Sequence, residues 1–146
     1  MLPLQELSDR VEISDLLARY SHAIDRRDWA ALDGIFTADA VIDYTELGGK
    51  RGSLQETKTF LAEALPNFIA FQHLSATPLI ILNGDKARCR TILFNPMVMQ
   101  HKGEERVFFI GLWYVDELVR TGDGWRIAHR REEKSWSFNA PPGMLP

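Results

Sequence analysis

The stretch Asn83-Gly84-Asp85-Lys86-Ala87-Arg88-Cys89-Arg90-Thr91-Ile92-Leu93-Phe94-Asn95-Pro96-Met97-Val98-Met99 decides the fold. Asn-Gly-Asp is a turn signal, and the run from Ala87 to Met99 reads as one long strand. Its period of two puts Cys89, Thr91, Leu93, Asn95 and Met97 on a single face. That composition suits the wall of a mostly apolar ligand pocket, and it suits a packed core equally well. Similar punctuation recurs at His101-Lys102-Gly103-Glu104 and Thr121-Gly122-Asp123-Gly124. From about Gln72 onward the chain is therefore expected to be a meander of four antiparallel strands.

Upstream the periodicity changes. Ile13, Leu16, Leu17, Tyr20, Ala23 and Ile24 recur at helical intervals, predicting a first helix from about Ser8 to Ile24 with Ser8 or Asp9 at its cap. Asp28 is placed to cap a short second helix carrying Trp29, Leu32, Ile35 and Phe36 on its inner side. Val41 to Thr45 is a short β-rich run, and Gly48-Gly49-Lys50-Arg51-Gly52 is a loop. Ser53-Leu54-Gln55-Glu56 has the pattern of a capping box opening a third helix, which Pro66 ends.

Helices first and strands afterwards is the α+β order. The expectation is a single domain over residues 1–146: a cone-shaped barrel of a curved, mainly antiparallel sheet packed on about three N-terminal helices, with an irregular tail from about Asn139. A sheet that curls without closing leaves a hollow at its open end, where a small molecule can bind.

Composition narrows the function. Of 146 residues 45% are hydrophobic, enough for a core without disulfides. Seventeen Lys and Arg against 20 Asp and Glu, with no run of one sign, speak against a nucleic-acid partner. The single cysteine, Cys89, cannot form an internal disulfide or a thiolate metal cluster. No apolar run approaches the ~18 residues of a spanning helix, and the first residues lack a secretory pattern, so a cytoplasmic protein without a membrane partner is expected.

Asp25 is the first candidate for chemistry, because it falls at a helix C-terminus, where the dipole disfavours a carboxylate unless something compensates it. Arg26 or Arg27 in solvent could do so. His73, in Phe68-Ile69-Ala70-Phe71-Gln72-His73-Leu74, has an apolar setting that calls for a hydrogen-bond partner, either a carboxylate or a backbone carbonyl. His129 alternates with Trp125 and Ile127 and so points into the cone if Trp125 does. Tyr20 and Tyr44 are apolar bodies with a polar tip, suited to a pocket wall or to the core. Asn95, Met97 and Trp113 complete the expected ligand contacts. Phosphate-cradling loops, dinucleotide fingerprints, nucleophile elbows, zinc-protease helices and calcium loops are missing from the sequence.

Taken in order, Tyr20-Ser21-His22-Ala23-Ile24-Asp25-Arg26-Arg27-Asp28-Trp29, Phe36-Thr37-Ala38-Asp39-Ala40, Gln72-His73-Leu74, Gly84-Asp85-Lys86-Ala87-Arg88 and Asp123-Gly124-Trp125-Arg126-Ile127-Ala128 form a recognisable series. The chain resembles the SnoaL-like branch of the nuclear-transport-factor-2-like superfamily from about Leu4 to Trp136. The resemblance implies the cone fold, homodimers or homotrimers, and chemistry without metal or nucleotide cofactor. Members of that branch include dehydratases, a dehydrochlorinase and polyketide cyclases. Asp25 and His73 occupy the positions of their catalytic Asp–His pair, Tyr44 matches a substrate-orienting tyrosine, Tyr20 lies near another, and His129 or Arg130 lies near a basic residue. A second catalytic histidine found in one dehydratase has no counterpart in Thr91-Ile92-Leu93-Phe94-Asn95-Pro96-Met97.

The implied activity is that of a cofactor-independent lyase or isomerase, dehydratase-like, acting on a small hydrophobic molecule of cyclic or polyketide-like character. A non-catalytic ligand-binding or accessory protein is the competing expectation. Epoxide hydrolysis is a third, for which Asp25, His73 and Glu133 do not clearly reproduce the paired acids and arginine.

Overall fold

The computed structural model describes all residues from Met1 to Pro146. Helix α1 (Leu4–Arg26) buries Ile13, Leu16, Leu17, Tyr20, Ala23 and Ile24, the stripe read from the sequence. It begins four residues before Ser8, because Pro3 stands at its N-cap with φ −58° already set. Asp9 is therefore inside the helix and does not cap it. Its carboxylate accepts hydrogen bonds from both terminal nitrogens of Arg120 at 2.6 and 2.8 Å and from the Trp125 indole at 3.1 Å, fastening α1 to the far end of the sheet.

The Ala31 amide donates to Asp28 as a capping pattern requires, at 3.1 Å. The segment that Asp28 opens is a five-residue 3₁₀ turn, Ala30–Gly34, and not the expected α-helix. Strand pairing ends it: the carbonyl of Ile35 already accepts a hydrogen bond from the Ile127 amide at 2.9 Å. Strand β1 (Phe36–Asp43) thus starts before Val41 and takes Phe36 out of the expected helix. Strand β2 (Arg51–Ser53) pairs antiparallel with β1. Ser53 and Glu56 then close the capping box of α2 (Leu54–Ala64) from both sides, and a 3₁₀ turn through Pro66 ends it. The N-terminal half therefore holds two α-helices and not three.

The remaining strands are β3 (Phe68–Phe71), β4 (Leu74–Ser75), β5 (Leu79–Asn83), β6 (Lys86–His101), β7 (Glu104–Thr121) and β8 (Gly124–Phe138). β5 to β8 form the four-stranded antiparallel meander. The sheet runs β2-β1-β8-β7-β6-β3, with β4 and β5 also on β6, and β1 lies parallel to β8. The architecture is α+β, helices against a curved, mainly antiparallel sheet.

Two bulges in β8 help to bend it. Glu117 pairs with His129 and Leu118 with Ile127, leaving Ala128 without a partner; Gly111 pairs with Trp136 and Leu112 with Lys134, leaving out Ser135. Each extra residue bends the strand and reverses which residues face inward. The concave side gathers Cys89, Thr91, Leu93, Asn95 and Met97 from β6 and Phe108, Ile110, Leu112 and Tyr114 from β7. The convex side carries an aromatic row, with Phe94 stacked on Trp136 at 6.0 Å and Phe109 on Phe138 at 6.1 Å. No helix is long and apolar enough to cross a membrane.

Arg120 holds the Asp9 carboxyl well below its ordinary value of 3.8, with Trp125 and Gln5 assisting against the cost of burial. A depressed carboxyl pKa stabilises the fold above the unfolded value and stops doing so as pH falls through the folded one. Asp9→Ala is expected to lower the thermal midpoint at pH 7, and the gap to the wild-type chain should narrow below pH 3.8. Equal midpoints at pH 7 would show that this fastening is dispensable.

Candidate active site

The last turn of α1 brings Asp25 against the junction of β3 and β4, where His73 sits. Nδ1 of His73 lies 2.7 Å from Oδ1 of Asp25, and the backbone N–H of His73 donates to both carboxylate oxygens at 3.1 Å. These contacts compensate a carboxylate at the negative end of a helix. The arginines do not: Arg27 enters the left-handed region at φ 59° and turns its guanidinium to the carbonyls of Leu65 and Phe68. Asn95 braces the other side, donating from its side-chain amide to the Gln72 carbonyl at 2.8 Å. The Phe71 ring stands edge-on to the imidazole at 5.9 Å.

His73 lines a cavity of about 370 Å³ in the mouth of the cone, whereas Asp25 lies behind the imidazole and does not. With Nδ1 engaged by the carboxylate, Nε2 is the nitrogen left to act on a guest, and the carboxylate stabilises the imidazolium formed when Nε2 takes up a proton. Seventeen of the 23 lining residues are hydrophobic, among them Ile24, Phe60, Leu61, Leu93, Met97 and Leu112, so a guest is chiefly apolar. Met144 and Leu145 of the irregular tail fold back to form part of the rim.

Another part of the wall is a cluster of phenols over a buried ion pair. The hydroxyls of Tyr20 and Tyr44 are in hydrogen-bond contact at 2.5 Å, and the Tyr114 ring meets Tyr20 edge-on at 5.5 Å. Gly49 makes this possible, because any side chain there would collide with Tyr44. Burial pushes the pKa of all three phenols above 10, keeping them neutral hydrogen-bond donors. Beneath them Arg130, 1% exposed, makes a bidentate pair with Asp116 at 2.7 and 2.8 Å and lies 4.0 Å from the ring centres of Tyr20 and Tyr114. Burial opposes its charge, but Asp116 outweighs that and holds the guanidinium protonated.

Two expected contacts change. His129, expected to follow Trp125 and Ile127 inward, is turned away by the bulge at Ala128, and Arg130 takes the inward position. Trp113 lies on the convex face under the Arg90 guanidinium at 4.6 Å, and its neighbour Tyr114 faces the cavity. Glu133 pairs with Arg90 and Arg131 outside the cavity, while Glu132 lines it. Tyr20, Tyr44, Asn95 and Met97 line the cavity. Tyr114 could have been found: a two-residue turn at Lys102-Gly103 sets Thr91 opposite Tyr114 and Ile92 opposite Trp113.

Residues 5–131 match the family described as the SnoaL-like domain. The chain belongs to this family. It is 47% identical over 134 residues to the uncharacterised protein Rv2910c of Mycobacterium tuberculosis, covering 92% of this chain and 90% of that one. Among solved structures, the Kfla4162 protein of Kribbella flavida superposes with a TM-score of 0.83 at 22% identity, over 92% and 95% of the two chains. The hexachlorocyclohexane dehydrochlorinase LinA-type3 of Novosphingobium barchaimii does so with a TM-score of 0.83 at 16% identity, over 95% and 94%. At these identities the two superpositions establish a shared SnoaL-like fold and no more.

Asp116→Asn removes the counter-charge of a guanidinium that has no access to water. Breaking such a pair costs about 3–5 kcal/mol. Chemical denaturation at pH 7 is expected to register a loss of that order, and a loss below about 1 kcal/mol would mean that Arg130 finds another partner.

Proposed function

We propose that this SnoaL-like protein is a cofactor-independent lyase or isomerase, dehydratase-like, acting on a small hydrophobic, oxygen-bearing molecule of cyclic or polyketide-like character. The observation that carries the reading is the Asp25–His73 contact opening on an apolar cavity. His73 is the general base: Nε2 removes a proton from carbon next to a carbonyl or beside a leaving group. Asp25 is a positioning residue that fixes the tautomer and stabilises the imidazolium. Tyr20 and Tyr44 share one hydrogen bond between them, so one phenol of that pair, together with Tyr114, donates to the oxygen on which negative charge develops. Asn95 holds the backbone just before His73 and so keeps the base in place.

The size and character of the hollow agree with this reading, since about 370 Å³ with an apolar lining takes a molecule of one or two rings. Phe94 and Trp113, which could have filled it, lie on the convex face, and Phe71 packs beside the imidazole. Support also comes from the shared fold of the dehydrochlorinase, an enzyme named for an elimination.

The test is turnover of hydroxylated or halogenated cyclic substrates by purified protein. General-base catalysis typically contributes ~10²–10⁴-fold, so His73→Ala should lose at least that much in kcat, with Asp25→Asn falling short of the wild-type rate by ~10²-fold or more. Folded variants that both retain the wild-type rate would end the proposal in favour of a binding protein.

A further inference from the structure

Glu132 is the one acid in the cavity wall, and base catalysis by His73 leaves it unused. It stands on β8 directly opposite Tyr114 of β7, where side chains on one face of an antiparallel pair lie about 5 Å apart. The bulge at Ala128 puts Arg130 and Glu132 inside together. Arg130 gives two hydrogen bonds to Asp116 from Nε and Nη2 and keeps Nη1 without a partner, and no side-chain hydrogen bond or ion pair within the chain engages Glu132. β8 and β4 lie three strand spacings apart across β7 and β6, and Glu132 and His73 both line the one hollow.

We propose that Glu132 is the site's proton donor, acting as a neutral carboxylic acid in the same cavity as His73, and that the substrate bears an uncharged oxygen at this end. The inference rests on His73 being the base. In a dehydration, Nε2 of His73 takes the proton from carbon, that electron pair forms the new C=C bond, and the C–O bond breaks. The departing hydroxyl takes the proton of Glu132 and leaves as water. Imidazolium and carboxylate then return to their starting forms by passing one proton through solvent, so no co-reactant is consumed.

The surroundings favour the neutral acid. Glu132 is half-buried in the cavity wall, and its removal from bulk water is the main cause that raises its pKa from 4.5 to about 8, with Asp43 of β1 and Glu46 of the following turn adding to it and Arg130 opposing. The phenols of Tyr20, Tyr44 and Tyr114 face it from α1, the end of β1 and β7, and all three are neutral. A carboxylic acid kept neutral by an apolar site can donate the proton that an ordinary glutamate has already lost. A neutral carboxylic acid donates its proton to an uncharged oxygen, so the oxygen received at this end is that of an alcohol or carbonyl.

Full-length protein labelled with ¹³C at the glutamate carboxyls tests this without any substrate, Glu132→Gln assigning the signal by its disappearance. The Glu132 carboxyl should titrate near pH 8; a midpoint between 4 and 5 overturns the proposal, because the group is then a carboxylate at neutral pH. With any substrate whose turnover requires His73, Glu132→Gln should lower kcat by ~10²-fold or more with KM changed only a few-fold. Full activity of Glu132→Gln overturns the donor role and leaves His73 as base. Turnover that survives His73→Ala removes the base and with it the donor role, while a titration near pH 8 would still establish the neutral acid.

Discussion

One carboxylate ties the helical layer to the sheet beside the cavity. Asp25 lies one residue from the end of α1, in the field of the helix dipole, where a charge of its sign is unwelcome. It is held there by the backbone amide and ring nitrogen of His73, in the irregular step between β3 and β4. The same bonds choose the ring's tautomer, its tilt and the nitrogen left over. Asn95 secures the neighbouring carbonyl from β6, so helix and sheet grip the segment from opposite sides. On the proposed reading of His73 as a base this restraint matters, because a displacement of about 1 Å can cost ~10²-fold in rate.

Elsewhere around the hollow the chemistry is reversed. One part of the wall offers an acceptor nitrogen, and another offers neutral donors: three phenols and, on our reading, a protonated acid. Their neutrality comes from exclusion of water by α1, α2 and the returning tail, which contribute Ile24, Phe60, Leu61 and Met144 to the lining. The Arg130–Asp116 pair beneath them is a costly element, since two buried charges gain little net stability over apolar residues. Its location suggests a use: a fixed positive charge 4.0 Å from two phenol rings favours negative charge developing nearby.

Much of this was legible in the sequence wherever a local rule governs the structure. The Ser53–Glu56 capping box, the apolar stripe of α1 and the inward face of β6 each follow from spacing alone. Asp25 and His73 were recognisable as individuals with unmet needs, but their meeting is a tertiary fact that only the family resemblance anticipated. The rest failed where tertiary structure overrides a local signal. Asp9 has the chemistry of a cap and instead binds Arg120; the segment after Asp28 has helical spacing and is claimed by β8. A single bulged residue, Ala128, reversed the parity of β8, so that Arg130 and Glu132 point inward and His129 does not. Nothing in Arg130-Arg131-Glu132-Glu133 distinguishes the inward-facing pair from the outward-facing one.

The central claim is that Asp25 holds His73 with a proton on Nδ1 and a lone pair on Nε2. Nitrogen-15 NMR of the histidine rings reads this directly. The neutral ring of His73 is expected to be fixed as the Nδ1–H tautomer, and Asp25→Asn is expected to release it to the Nε2–H form or to a mixture. A wild-type His73 already protonated on Nε2, or averaging freely between tautomers as an unrestrained imidazole does, would contradict the claim.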